Sequence, residues 1–233
     1  MSSLNKTVEL VCGNEPLYLG WEDYYRSGDE KSAWGNDAPP FLDERLVQYL
    51  PPKAKVVDFG AGDARNSLPL GAAGHPLTLV DISAAGLERA RRRAIELGLQ
   101  PLPTLVTASL DQLPLASEQF EFALCIDALP QVYRPQQALK EMARTLVHGG
   151  RLLVNVFTPA DCAYGEGERL NGRSFLFKNT LFSFFEDAEF TPLLSGLFTV
   201  CDCQQVSWQD PPHPPFRPYP HTHDALVYVL QKI

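Results

Sequence analysis

Cysteine is scarce, long apolar runs are missing and basic residues are outnumbered. Five cysteines in 233 residues cannot make the disulfide framework of a small secreted module. No stretch reaches the roughly 18–20 apolar residues of a membrane span, and residues 1–13 lack the apolar run of a signal peptide. With 28 Asp+Glu against 20 Lys+Arg and a net charge of -8, the chain is ill-suited to gripping a phosphate backbone over a wide face. The one basic cluster, Arg89, Arg91, Arg92 and Arg93, reads as the solvated side of a helix. No internal repeat is visible at a period of about 20–50 residues. The expectation is a reduced, cytoplasmic protein with neither nucleic acid nor membrane as partner.

What is present is a core. Hydrophobic residues make up 45% of the chain, enough to fill one domain at roughly 100–200 residues per domain. From Ala54 onward, short apolar runs alternate with helical stretches. The runs cover residues 56–59, 77–80, 102–107, 120–126 and 152–157. The helices are expected over 64–73, 84–97 and 135–146, the last stopped by Gly149-Gly150. Strands alternating with helices mean βαβ units, hence an α/β fold with a parallel sheet covered on both faces. A helix over 41–50 precedes them, ended by Pro51-Pro52. Beyond them, 159–174 reads as a polar, Gly-rich loop and 180–188 as a helix. Residues 197–208 and 225–232 read as two adjacent antiparallel strands. The connection between those strands carries six prolines from Pro211 to Pro220 and is extended and stiff.

The informative stretch is Val56-Val57-Asp58-Phe59-Gly60-Ala61-Gly62-Asp63-Ala64-Arg65-Asn66. Glycine at a strand's carboxyl end lets the backbone turn tightly and approach a ligand. Asp81 ends the next strand about 20 residues on, placed to hydrogen-bond both hydroxyls of a ribose. A dinucleotide pyrophosphate wants a third glycine, where this chain has Arg65, and Asp63 at the helix start would repel phosphate. Asp58 suits a ligand carrying an ammonium group. S-adenosylmethionine, with ribose, adenine and an amino acid but no phosphate, fits each departure. A nicotinamide oxidoreductase is disfavoured on the same residues.

From about Phe41 onward the chain resembles the class I S-adenosylmethionine-dependent methyltransferases. The resemblance rests on the glycine loop, on Val80-Asp81-Ile82-Ser83, and on Ala108-Ser109-Leu110-Asp111-Gln112-Leu113-Pro114-Leu115 with Phe120-Glu121-Phe122-Ala123. A fourth motif runs Leu139-Lys140-Glu141-Met142-Ala143-Arg144-Thr145-Leu146 with Gly149-Gly150. It implies a Rossmann-like doubly wound seven-stranded sheet, mostly parallel with an antiparallel last strand. The implied cofactor contacts are Asp58, Gly60, Ala61, Gly62 and Asn66 for the methionine moiety, and Asp81 and Ile82 for the ribose. Ser109 and Leu110 flank the adenine, and Cys125 ends the fourth strand. Ser109 stands where the family often has Asp, and His148 where many members have Pro.

A narrower likeness links Ala64-Arg65-Asn66-Ser67-Leu68 and the Trp34-Gly35…Pro39-Pro40-Phe41-Leu42 segment to the tellurite-resistance and thiopurine methyltransferase-like branch. It makes residues 1–50 a helical, aromatic cap over the cofactor and 51–233 the methyltransferase domain. Tyr25 and Trp34 would then pack on the sulfonium by cation–π contact, or serve as core.

Methyl transfer asks for alignment and water exclusion more than covalent chemistry. Residues 159–174 and 208–223 should shape the acceptor pocket at the carboxyl edge of the sheet. That second segment holds His213, His221 and His223, of which His221 or His223 is the candidate general base, against a plain structural role in the turn. Asp127 is the alternative base or a contact for the cofactor's amino group. Metal binding by His221-Thr222-His223 is disfavoured on the ground that alternating side chains point to opposite sides. Cys201 and Cys203 read as packing. Asp210-Pro211-Pro212-His213 is similar in letters to the D-P-P-Y of adenine-N6 methyltransferases but follows the wrong strand.

The sequence therefore predicts a methyltransferase acting on a small, apolar or aromatic acceptor. A cofactor-binding scaffold without turnover and a protein methyltransferase remain alternatives. The oligomeric state, the acceptor and the atom methylated are open.

Overall fold

A computed structural model of the chain describes residues 15–27, 38–212 and 217–233, with the side chains of 15–19 set aside. Helices α1 (Glu15–Ser27) and α2 (Leu42–Tyr49) precede the alternating units β1 (Val56–Phe59), α3 (Leu68–Ala72), β2 (Leu77–Asp81), α4 (Ala84–Glu96) and β3 (Thr104–Thr107). Then come β4 (Phe120–Cys125), α5 (Pro135–Thr145) and β5 (Leu146–Phe157). A hairpin region, β6 (Glu168–Arg169), β7 (Ser174–Phe177) and β8 (Thr180–Ser183), leads through α6 (Asp187–Phe190) to β9 (Phe198–Asp210) and β10 (His221–Lys232).

The main sheet has seven strands in the order β3-β2-β1-β4-β5-β10-β9. β1 to β5 run parallel, and β10 is antiparallel to both its neighbours, β5 and β9. Strand order reverses between β1 and β4, the switch point outside whose carboxyl ends a crevice opens in doubly wound sheets.

Period-two alternation sorts the core onto two faces. Val57, Phe59, Ala123, Cys125, Val154 and Tyr228 point to the face covered by α5. Val56, Phe122, Leu124, Leu153 and Val227 point to the other, under α2 and the β7–β8 hairpin. Both faces of the central strands are buried, which is why they read as unbroken apolar runs.

Four local expectations are corrected. The helix expected over 64–73 is only Leu68–Ala72, because Ala64 takes φ +61 and Pro69 sits at the start of the helix, the position proline prefers. Residues 180–186 are not helical, and a helix starts only at Asp187. Thr180–Ser183 form a strand whose four residues are all buried, so packing of Leu181 and Phe182 against β7 overrides helix propensity. β10 begins at His221 rather than Ala225, so His221 and His223 are strand residues paired opposite Asp210 and Trp208. Cys201 and Cys203 lie on the exposed side of the outermost strand instead of packing inside.

The basic cluster is only half solvated. Arg91 and Arg92 are exposed. Arg89, one helical turn before Arg93, is buried with its guanidinium 5.6 Å from the Tyr25 ring centre, and Arg93 pairs with Asp63 at 2.9 Å. Positions i and i+4 share a face, and here that face is turned toward the glycine loop.

Candidate cofactor and acceptor cleft

At the switch point lies a cleft of about 1040 Å³, counting the space at its mouth. Gly60 turns at φ +76, and a Cβ there would stand 2.2 Å from the Cβ of Ala128. Gly62 turns at φ +53, and a Cβ there would stand 2.1 Å from the Tyr25 hydroxyl. Both glycines are thus required by backbone handedness and by close approach together. Asp81, at the end of β2, accepts from the backbone N–H groups of Gly62 and Ser83, each at 2.8 Å. The ribose-type acid therefore also holds the glycine loop in shape.

Helix α1 closes one wall. Glu22 accepts from the Ser83 hydroxyl (2.7 Å) and from the Ala85 N–H (3.1 Å), a negative charge at the N-terminus of α4 that the helix dipole favours. Trp21 donates its indole N–H to Gln131, whose amide donates in turn to the Asp127 carbonyl at 2.7 Å. Trp21 and Tyr25 thereby line the cleft.

The floor is a buried polar cluster. Asp127, just past β4 at φ +58, is gripped on every side. Its N–H donates to Asn155 Oδ1 (2.7 Å), its Oδ1 accepts from Asn155 Nδ2 (2.8 Å), and its Oδ2 faces Arg65 at 3.2 Å. A non-glycine residue held in the left-handed region beside a ligand crevice is the kind of strain that functional sites store.

The sequence-predicted residues fall into four groups. Tyr25, Gly60, Ala61, Asn66, Asp81, Ile82, Ser109, Leu110 and Asp127 line the cleft. Asp58, Gly62 and Cys125 do not. Asp58 is buried behind the glycine loop, accepting from Ser67 Oγ at 2.6 Å, and Cys125 points into the core. Trp34 and His213 lie outside the described residues. His221 and His223 are buried at the start of β10 with their rings turned to each other and to Asp161, away from the cleft lining.

Residues the sequence alone did not single out for the cleft are Trp21, Asp63, Arg65 as a lining group, Asp111, Ile126, Ala128 and the run 131–133. Asp111 had a visible signal. Ser109 donates to its carboxylate at 2.6 Å, and an acid thus lines the cleft two residues after position 109.

Two buried carboxyls are shifted. Asp58 is pushed up to about 7 by burial, against the Ser67 hydroxyl and with the charges of Asp81 and Asp63 adding. Asp81 is pushed up to about 6, again by burial first, with its backbone N–H donors opposing and Glu22 adding. In the unfolded chain both titrate near 4. Between about pH 4 and 7 the folded protein therefore retains protons that the unfolded chain has released. Stability falls as pH rises through that window, by up to about 1.4 kcal/mol per pH unit for each group. Asp58→Asn deletes its share. Urea unfolding at acidic and neutral pH should show the variant losing less stability than the parent over this interval, and equal losses would place the proton elsewhere.

This sheet order, with a glycine turn after β1 and an acid after β2, is the Rossmann-like arrangement that the resemblance to class I S-adenosylmethionine-dependent methyltransferases implies. Residues 57–154 match the model of a family described as "Methyltransferase domain". Among curated relatives, a dimethylglycine N-methyltransferase of Parasynechococcus marenigrum is 31% identical over 143 residues, 61% of this chain and 50% of the relative. The chain thus spans half the length of that relative.

Two solved structures share the fold. A 1,6-didemethyltoxoflavin-N1-methyltransferase of Burkholderia thailandensis, with S-adenosylhomocysteine bound, superposes with TM-score 0.60 at 20% identity, covering 100% of this chain and 91% of that one. TehB of Haemophilus influenzae gives 0.64 at 15% identity, covering 91% and 67%. The cofactor of the domain is S-adenosylmethionine. The cleft fits it, since the acid at β2, the glycine turn and paired opposite charges on Arg65 and Asp127 match ribose, backbone approach and zwitterionic amino acid. No helix among the described residues is long and apolar enough to cross a membrane.

Proposed function

We propose that the chain transfers the methyl group of S-adenosylmethionine to a small-molecule acceptor. When bound, the cofactor supplies a sulfonium methyl that a nucleophilic acceptor atom takes by in-line displacement, leaving S-adenosylhomocysteine. The chain's own residues hold and shield. Asp81 accepts from the ribose hydroxyls, Asp111 beside Ser109 receives the adenine amino group, and Arg65 with Asp127 faces the amino-acid end.

The observation that carries the acceptor class is the apolar share of the cleft lining. Trp21, Ile126, Ala128, Val132 and Tyr133 line the same cleft. Such a lining favours an apolar or aromatic molecule and excludes water from the displacement. Asp127 acts by position, because both its oxygens are already engaged by Asn155 and Arg65. His221 and His223, buried and turned toward each other, have no path to an acceptor in the cleft except through movement of the β10 start.

The test is methyl-labelled S-adenosylmethionine with a panel of small aromatic and amine acceptors. Formation of S-adenosylhomocysteine above the acceptor-free background is expected for at least one of them. Tight cofactor binding with no turnover on any small acceptor or peptide would favour the scaffold reading. Turnover on peptides alone would favour a protein substrate.

A further inference from the structure

At the turn between β9 and β10, two imidazoles and a carboxylate meet on one face of a two-stranded ribbon. His221 and His223 are two residues apart on β10 and so share a face, which corrects the expectation that their side chains point to opposite sides. Asp210 of β9 is the cross-strand partner of His221, and cross-strand partners carry side chains on the same face. The Nε2 atoms of the two histidines are 3.0 Å apart, and Asp210 Oδ2 lies 3.7 Å from Nε2 of His223. One ligand atom from each of the three residues falls within 4.8 Å of the others.

The far side of each ring fixes its tautomer. Nδ1 of His221 is 3.0 Å from the Tyr219 carbonyl, and Nδ1 of His223 is 2.8 Å from Asp161 Oδ2. Asp161 also accepts from the Asp224 N–H at 3.0 Å and the Ala163 N–H at 2.8 Å, so it serves as acceptor throughout. A carbonyl and a carboxylate can only accept, so each Nδ1 is the donor. The two Nε2 atoms then face one another at 3.0 Å, a spacing that a cation or a shared proton between them would suit.

An imidazole whose other nitrogen donates to a carboxylate or carbonyl is the arrangement that orients metal-binding histidines. Charge agrees with this. Asp210 and Asp161 bring two carboxylates beside the two imidazoles, which would balance a divalent cation, while the nearby Arg217 is matched by its bidentate pair with Glu166 at 3.0 and 2.9 Å.

We propose that Asp210, His221 and His223 bind one divalent transition-metal ion of the zinc type. Two imidazoles and one carboxylate make a three-ligand set with a fourth tetrahedral position left over. Asp161 is its outer partner, orienting His223. The ion joins the last residue of β9 to the first residues of β10, so it clips the base of the proline-rich connection at the same carboxyl edge as the cleft.

The test uses the full chain stripped with EDTA. Titration with Co²⁺ should produce visible ligand-field bands that Zn²⁺ abolishes, and calorimetry with Zn²⁺ should show one site. Asp210→Ala and His221→Gln should each weaken Zn²⁺ binding by more than the roughly 10–100-fold that loss of an outer partner costs, and Asp161→Asn should fall within that range. His223 is sandwiched between Phe157 and Trp208, so its variants risk misfolding and the test relies on the other two positions, with far-ultraviolet dichroism to confirm the fold. Absence of both Co²⁺ bands and Zn²⁺ heat in the parent overturns the proposal, leaving a shared proton as the positive centre. Zn²⁺ affinity unchanged in the Asp210→Ala/His221→Gln double variant overturns it equally.

Discussion

Asp127→Ala should cost about 3–5 kcal/mol of folding stability, because it leaves the Arg65 guanidinium buried without its carboxylate. Arg65 and Asp127 side chains are only 7% and 9% exposed, so water in the cleft replaces the lost partner only in part. The Asn155 amide would lose its acceptor as well. Against a typical total of about 5–15 kcal/mol, this is a large share, and thermal unfolding would show it. Replacing both charges, Arg65→Met with Asp127→Asn, should recover much of the loss, since the uncompensated charge is then gone. Asparagine tolerates the left-handed backbone, and its amide oxygen still accepts from Asn155. The double variant should stay unable to bind cofactor normally. A single variant as stable as the parent would mean that Arg65 reaches solvent and that the cleft floor is not the closed polar cluster described above.

Asp81→Ala should weaken S-adenosylmethionine binding by roughly 10–100-fold, the equivalent of about 1.5–3 kcal/mol for a charge-assisted hydrogen bond. Calorimetry with S-adenosylmethionine, S-adenosylhomocysteine and NADH reads the effect. Loss of both adenosyl ligands, with NADH silent throughout, is the expected pattern. The variant also frees the N–H groups of Gly62 and Ser83, so part of the loss belongs to a loosened glycine loop. Asp81→Asn separates the contributions, because an amide oxygen still accepts from one N–H while the charge facing the ribose is gone. An affinity unchanged in both variants would remove the ribose from this strand end.

How much of this was legible in the sequence follows from what each signal depends on. The parallel strands announced themselves because both of their faces are buried, as at Val56 and Val57, and a doubly buried strand has no polar alternation to confuse it. The glycine loop and Asp81 were legible because their chemistry is local in sequence. The β8 strand was not, since Leu181 and Phe182 are strand residues only by virtue of β7 across from them. Arg65 was noticed as an obstacle to pyrophosphate, yet its role needed Asp127, 62 positions away and visible only in three dimensions. The two histidines were singled out but misplaced. Their strand begins four residues earlier than the apolar pattern, because His221 and His223 are buried by pairing with β9 rather than by hydrophobicity.

Helix α1 has a thermodynamic consequence. It supplies Trp21 and Tyr25 to the cleft while Glu22 grips Ser83, the same residue whose N–H is held by Asp81. The helix and the cofactor are therefore linked ligands of one surface, and linkage is reciprocal: whatever tightens one tightens the other by the same factor. The apparent dissociation constant of the cofactor equals its intrinsic value divided by the fraction of molecules in which α1 is docked, so undocking in about half of them roughly doubles it.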